Sequence, residues 1–347
     1  MGRLKFIDGL RGIAAVLVML FHLVGRTSAA GLTSRGYLGV ATFFVLSGFV
    51  IAMVVGTNRI SPGFLGRFAL RRGIRLDIPY WVSIVVTLAL GALAVHMGVP
   101  KPGVTFPQIA AHLFYLQDIL HFQAISPIYW TLCLEVQFYL ALIVLLWIAQ
   151  LTRAKWQAFL LVFVSLLGAS VVVHMNWVHA PAGLMFPYWW AFSLGALCYW
   201  TLADRAPASY LALSCAMLLY SGGELHGDWR LTAVVTTCLL FLAWHSKAMD
   251  KWLADRLFQF LGRISYSLYL VHPLVGWSAQ SLALRYTNQW AALVVGVMAS
   301  VLSAWVAYRF VERPSIRLSH RVSLGSRIAL PKEEIRHHGA EPERETR

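Results

Sequence analysis

Ten apolar stretches follow one another along this 347-residue chain, each close to the length needed to cross ~30 Å of bilayer hydrocarbon. No other feature constrains the fold as strongly. Inside hydrocarbon a backbone N–H or C=O finds no water, so a spanning segment must satisfy its own hydrogen bonds, and stretches of this length do so as helices. The windows lie near residues 8–26, 36–56, 79–97, 128–149, 156–175, 184–203, 208–223, 231–246, 257–279 and 290–311. The expectation is an all-α polytopic membrane bundle of about ten transmembrane helices. Composition agrees: 59% of residues are hydrophobic and 13% charged, where a soluble globule carries about a quarter charged.

The formal net charge is +14, yet the basic residues sit between apolar stretches instead of gathering in one soluble domain. That pattern argues against a nucleic-acid partner and for membrane topology. With a cytoplasmic N-terminus, only Arg26, Arg35, Lys101, Arg230 and Arg285 fall in outer loops, which leaves 24 of the 29 Lys and Arg inside and puts both termini in the cytoplasm. The amphipathic segment Phe106 to Gln123 is placed on the outer face or as a re-entrant helix, because a crossing there would invert every later loop. Arg3, Lys5 and the small residues of "TSAAG" imitate a signal peptide, but Asp8 and Arg11 interrupt the start of its apolar region, so a retained first helix is expected. Residues 1–314 read as one integral membrane domain. Residues 315–347 read as a disordered, charged cytoplasmic tail in which His337 and His338 are solvated. Cys133, Cys198, Cys215 and Cys238 all lie in apolar runs, without the spacing of a metal site or a loop disulfide, and read as small core residues.

Ionisable residues inside apolar stretches cost several kcal/mol against lipid, so they mark protein- or water-facing surface. In the first stretch Arg11 and His22 are eleven residues apart, three turns plus about 20°, and so share a face roughly 16 Å apart; Asp8 lies within about 40° of it. Asp8 and Arg11 either pair with each other or belong to a functional stripe, and His22 is either a structural or a working imidazole. In "IYWTLCLEVQFYL" Glu135 sits at a depth similar to His22. The two either form a base–orienter pair, or Glu135 makes one interhelical hydrogen bond. In "GRFALRRGIRLDIPYW", Arg72 and Arg75 share a face among Arg67 and Arg71. They serve either anionic headgroups or a phosphorylated cytosolic ligand, which guanidinium forks bind bidentately. "LGRISYSLYLVHPLV" crowds Ser265, Tyr266, Ser267, Tyr269 and His272 on one inward-facing helix, where Tyr269 and His272 read as structural or substrate-lining.

Together, "FIDGLRGIAAVLVMLFHL", "GYLGVATFFVLSGFVI", "RRGIRLDIPYW", "YWTLCLEVQFYL", "LGRISYSLYLVHPL" and "RFVERP" resemble, in order and over nearly the whole chain, the acyltransferase-3 family of integral membrane O-acyltransferases. The resemblance implies acyl transfer, commonly acetyl, from cytoplasmic acyl-CoA to a hydroxyl of an extracytoplasmic glycan or glycolipid, such as lipopolysaccharide O-antigen or exopolysaccharide. Acyl-CoA would be a donor substrate and not a resident cofactor. The family's essential arginine and histidine match Arg11 and His22, its Arg-x-x-Arg matches Arg72 and Arg75, and its acidic residue matches Glu135. Two positions depart from the pattern: Ala41 stands where an acid is usual after "GYLGV", and Thr131 replaces a serine. Many relatives carry a fused SGNH domain; here only a short tail follows, so the membrane domain is expected to complete the transfer or to hand the acyl group on. On this reading Arg72, Arg75 and Arg11 hold the anionic coenzyme, His22 is the general base and Glu135 orients it. The alternative is a proton-coupled transporter or flippase, since buried His, Glu and Arg also build proton relays; the chain lacks the paired broken-helix repeats common to carriers.

Overall fold

The computed structural model describes residues 4–324 apart from 57, 59, 101 and 222–226. The described residues contain helices and turns and no strand. The chain runs through α1 (Lys5–Val24), α2 (Gly39–Val55), α3 (Pro62–His96), α4 (Phe106–Leu113), α5 (Tyr129–Leu151), α6 (Trp156–His174), α7 (Trp189–Leu202), α8 (Ala208–Tyr220), α9 (Gly227–His245), α10 (Arg256–Val271), α11 (Trp277–Ala283), α12 (Gln289–Ala307) and α13 (Arg313–Ser319). Each of the ten apolar windows falls on helix. Six helical segments, those of α1, α2, α3, α5, α6 and α12, are long and apolar enough to cross a membrane. The thirteen residues of α8 extend only about 20 Å. Every residue of the fourteen-residue α7 is buried, so that helix fills the middle of the bundle. The outer surface is apolar in return: Val85, Met298 and Leu302 are each more than 60% exposed, which suits lipid and would not suit water.

Two sequence expectations are revised, and the placing of the Phe106 segment outside the membrane agrees with its short helix. The arginine run does not precede a span as a separate element. It is the first half of α3, whose 35 residues reach about 52 Å and so project well beyond a hydrocarbon layer. Ser61 caps α3 by accepting from the Phe64 N–H, and Pro62 occupies the first turn, where its missing N–H costs nothing. The segment after Phe106 contains only the eight-residue α4, with a Thr105–Gln108 capping box, and is too short to cross. The charged tail begins later than expected: residues 315–319 lie in α13, where Ser315 and Ser319 are buried, and α13 packs on α3, with Arg71 3.2 Å from His320. Residues 325–347, with His337 and His338, lie outside the described residues.

Two glycine contacts hold the bundle. Between helices that face the same lipid, burial supplies little drive, so small residues that let backbones touch decide which helices pair. A Cβ on Gly48 of α2 would strike the Phe192 carbonyl of α7, and one on Gly195 of α7 would strike the Val45 carbonyl of α2. A Cβ on Gly12 of α1 would lie 2.7 Å from the backbone nitrogen of Gly262 in α10, and one on Gly262 would strike the Asp8 carbonyl. Gly48→Val should therefore force α2 from α7 and cost about 1–3 kcal/mol. The expected readout is a lower thermal midpoint in detergent by fluorescence-detected size exclusion. Gly91→Val, at a position with open space around it, serves as the silent control.

Candidate functional site

The parallel pairing of α1 and α10 sets a constant offset. Gly12 meets Gly262, and ten residues further along both helices His22 meets His272. His272 Nδ1 lies 3.0 Å from the Leu268 carbonyl, and His22 Nδ1 lies 3.0 Å from the Val18 carbonyl and 3.0 Å from His272 Nε2. A carbonyl oxygen can only accept, so both Nδ1 atoms carry hydrogen. His272 Nε2 is then a lone pair accepting from His22 Nδ1–H, and His22 Nε2 is left basic and unprotonated. His272 is fully buried while His22 is partly exposed, so the His272 ring is a fixed support and the His22 ring is the accessible one. Trp277 donates its indole N–H to the His22 carbonyl at 3.2 Å, and Gln280 donates to the Leu23 carbonyl at 3.0 Å, satisfying carbonyls at the end of α1. A five-residue π turn, His272–Gly276, separates α10 from α11 and places both donors.

About three helical turns away along α1, a second cluster gathers Arg11, Arg72, Arg75, Glu135 and Glu312, whose charges interact. Ser47 Oγ donates to Glu135 Oε1 at 2.6 Å, and Tyr139, one turn below Glu135, donates to the same oxygen. The Arg72 guanidinium lies over the Tyr139 ring, 4.5 Å from its centroid, and its Nε is buried without a hydrogen-bond partner among the described residues. Glu312, 6% exposed, accepts from the Ser267 N–H at 3.2 Å and from its hydroxyl at 2.6 Å, while countering Arg11 and Arg75. Three guanidiniums and two carboxylates therefore share this cluster. Arg11, Arg72, Arg75 and Glu135 all keep partial exposure, as residues lining an interior cleft would.

The structure thus distributes the residues picked from sequence between two ends of one stripe. His22 and His272 lie together. Arg11, Arg72, Arg75 and Glu135 lie together. The expected contact between Glu135 and His22 is absent among the described residues: Glu135 is hydrogen-bonded to Ser47 and Tyr139, and the ring beside His22 is that of His272. Tyr269 bridges the two levels by donating to Thr131 Oγ1 at 2.8 Å, while Thr131 donates to the Ile128 carbonyl; the threonine at this position keeps the hydroxyl in use. Asp8 is half-buried on the same stripe, its carbonyl against Gly262. Glu312, Ser47 and Tyr139 were missed. "RFVERP" carried a signal for Glu312, and the i, i+4 spacing of Glu135 and Tyr139 was legible.

Comparison with known proteins shows the family. Residues 4–309 match the model of the acyltransferase-3 family, described as an acyltransferase domain. The chain is 26% identical to a putative membrane-bound transacylase, BcsY, of Komagataeibacter xylinus, over 94% of this chain and 86% of that protein. It is 26% identical to the peptidoglycan O-acetyltransferase OatA of Listeria monocytogenes, over 89% of this chain and 55% of that protein. It is 24% identical to the O-acetyltransferase OatA of Staphylococcus aureus, over 89% and 56%. It therefore spans little more than half the length of the OatA proteins. No solved structure matches. Removing Glu312 should leave Arg11 and Arg75 under-compensated in a largely buried setting. Glu312→Ala is expected to cost about 3–5 kcal/mol, measured as a fall in thermal midpoint that added salt changes little.

Proposed function

The chain belongs to the acyltransferase-3 family, and from that membership we propose that it moves an acyl group, acetyl in the first instance, from cytoplasmic acyl-CoA to a hydroxyl of an extracytoplasmic glycan. The acceptors this reading favours are polymeric or lipid-linked sugars such as lipopolysaccharide O-antigen or exopolysaccharide; the name of the Listeria relative adds peptidoglycan. The setting is a bacterial plasma membrane, crossed about ten times with both termini cytoplasmic, by a membrane domain over residues 1–314 that α13 extends to Ser319. The distribution of Lys and Arg supports that orientation: it puts the arginine cluster inside and the two histidines outside.

The observation that carries the proposal is the His22 imidazole with Nδ1 engaged by Val18 and His272 and Nε2 basic and free. His22 Nε2 takes the proton from the acceptor hydroxyl as its oxygen attacks the thioester carbonyl. The carbon–sulfur bond then breaks, and the leaving thiolate recovers that proton from the imidazolium. His272, held by Leu268, orients the ring and accepts from Nδ1–H, which strengthens as charge develops. Arg72, Arg75 and Arg11 would hold the phosphates of the donor, and the ~16 Å between Arg11 and His22 is spanned by an extended pantetheine arm.

With labelled acetyl-CoA and reconstituted protein, His22→Ala should abolish transfer, and His272→Ala should lower kcat on the order of 10²-fold. Arg72→Ala should chiefly raise the KM for acetyl-CoA. A His22→Ala protein that still transfers at the native rate defeats the assignment. Movement of an unmodified solute without thioester cleavage would favour the carrier instead.

A further inference from the structure

At the end of the bundle that holds His22 and His272, the turns after α4 and those before α7 enclose an open cleft of about 530 Å³, within the range of ligand pockets. Trp130 and Tyr188 form one wall, half-buried, with ring centroids 5.6 Å apart. Phe122, Asp118, His121 and Gln123 complete the lining that matters here. The Asp118 carboxyl lies against the Cys133 thiol and contributes a polar group to the cleft wall.

The cleft is built and not incidental. Gln137 on α5 clamps one loop from both ends of its amide, donating to the Gly183 carbonyl at 2.8 Å and accepting from the Met185 N–H at 3.0 Å. Gly183, at φ +78°, lies so close to the backbone of Asp118 and Ile119 that any Cβ would be in collision. The opposite loop is pinned by Gln108 donating to the Gln123 carbonyl at 2.7 Å and by the Ile125 N–H donating to His112 Nε2 at 3.0 Å. Two faces of aromatic ring beside a carboxylate, an imidazole and an amide match a pyranose, which has an apolar C–H face and a rim of hydroxyls.

The cleft is also joined to the imidazole pair. Thr131, next to Trp130, is bonded to Tyr269; the Tyr269 ring lies 6.0 Å from that of His272, and His272 touches His22. Neither His22 nor His272 lines the cleft, so a sugar held there is not the ring set against the imidazole. We propose that this cleft is a second sugar-binding subsite, which grips a ring of a glycan chain while another ring of the same chain presents its hydroxyl to His22. The inference rests on the functional reading above and adds that the acceptor is an oligomer, recognised away from the reacting group.

The test compares acetyl transfer from labelled acetyl-CoA to N-acetylglucosamine and to its β-1,4-linked tetramer, by the full chain in liposomes. The native protein should prefer the tetramer in kcat/KM by tenfold or more. Trp130→Ala and Tyr188→Ala should each reduce that tetramer-to-monomer ratio about tenfold, through the tetramer's KM, and Trp130→Phe should restore most of it. Gln123→Ala, an exposed rim position whose backbone bond is retained, should reduce the ratio by a smaller factor. An unchanged ratio in the alanine variants, or an equal loss with both acceptors, overturns the subsite. A native protein that cleaves acetyl-CoA but treats both lengths alike overturns the subsite alone; one that neither cleaves nor transfers overturns the functional reading with it.

Discussion

The contact of Gly12 with Gly262 governs the rest of the molecule. It brings two parallel helix axes as near as backbones allow, and near contact also fixes their register, because a shift of one residue would drive a side chain into the space only hydrogen can occupy. Fixed register at one level is fixed register ten residues on, about 15 Å along both axes, where two imidazoles must meet within hydrogen-bond distance. A pair of rings aligned in this way depends on no flexible loop. Its tautomers follow from two main-chain carbonyls, and those are held by the helices themselves.

The arginine cluster solves a different problem. Three guanidiniums inside a bundle repel one another, and each resists leaving water. Glu312 and Glu135 offset two of the three charges, Tyr139 offers its ring face to Arg72, and partial exposure provides the remainder. The cluster is thereby stable without being saturated. The buried Arg72 Nε, without a hydrogen-bond partner among the described residues, is a donor that an anionic group would satisfy.

Much of this was legible in the sequence, for identifiable reasons. Helical period is a strict ruler, so Arg11 and His22 had to share a face once the first stretch was a helix, and the ten apolar windows coincide with helical residues. Depth is a weaker ruler. Glu135 was placed near the height of His22, and depth could not say which helix stood beside α1; that depended on glycines at positions 12 and 262, whose message is read only when the two helices are seen together. Hydropathy also reports membrane and not helix. It therefore found the second half of α3 and passed over the first, and it passed over α13, which is held by buried serines and the flank of α3. The route from the outer cleft to the imidazoles had no signature at all, since it joins residues from α5, α10, the π turn and α1.

The π turn at His272–Gly276 alters the phase of its helix. On an unbroken α-helix Gln280 would point some 80° away from His272, and Trp277 about 140°. Absorbing one additional residue in the wide turn subtracts about 100° from each, so that imidazole, indole and amide come to look in nearly one direction. A single helix thus offers α1 three successive polar fingers where the ordinary winding would offer one. Losing a residue from this turn would swing the indole and the amide toward other neighbours and strip the last carbonyls of α1 of their donors, even with every side chain still present.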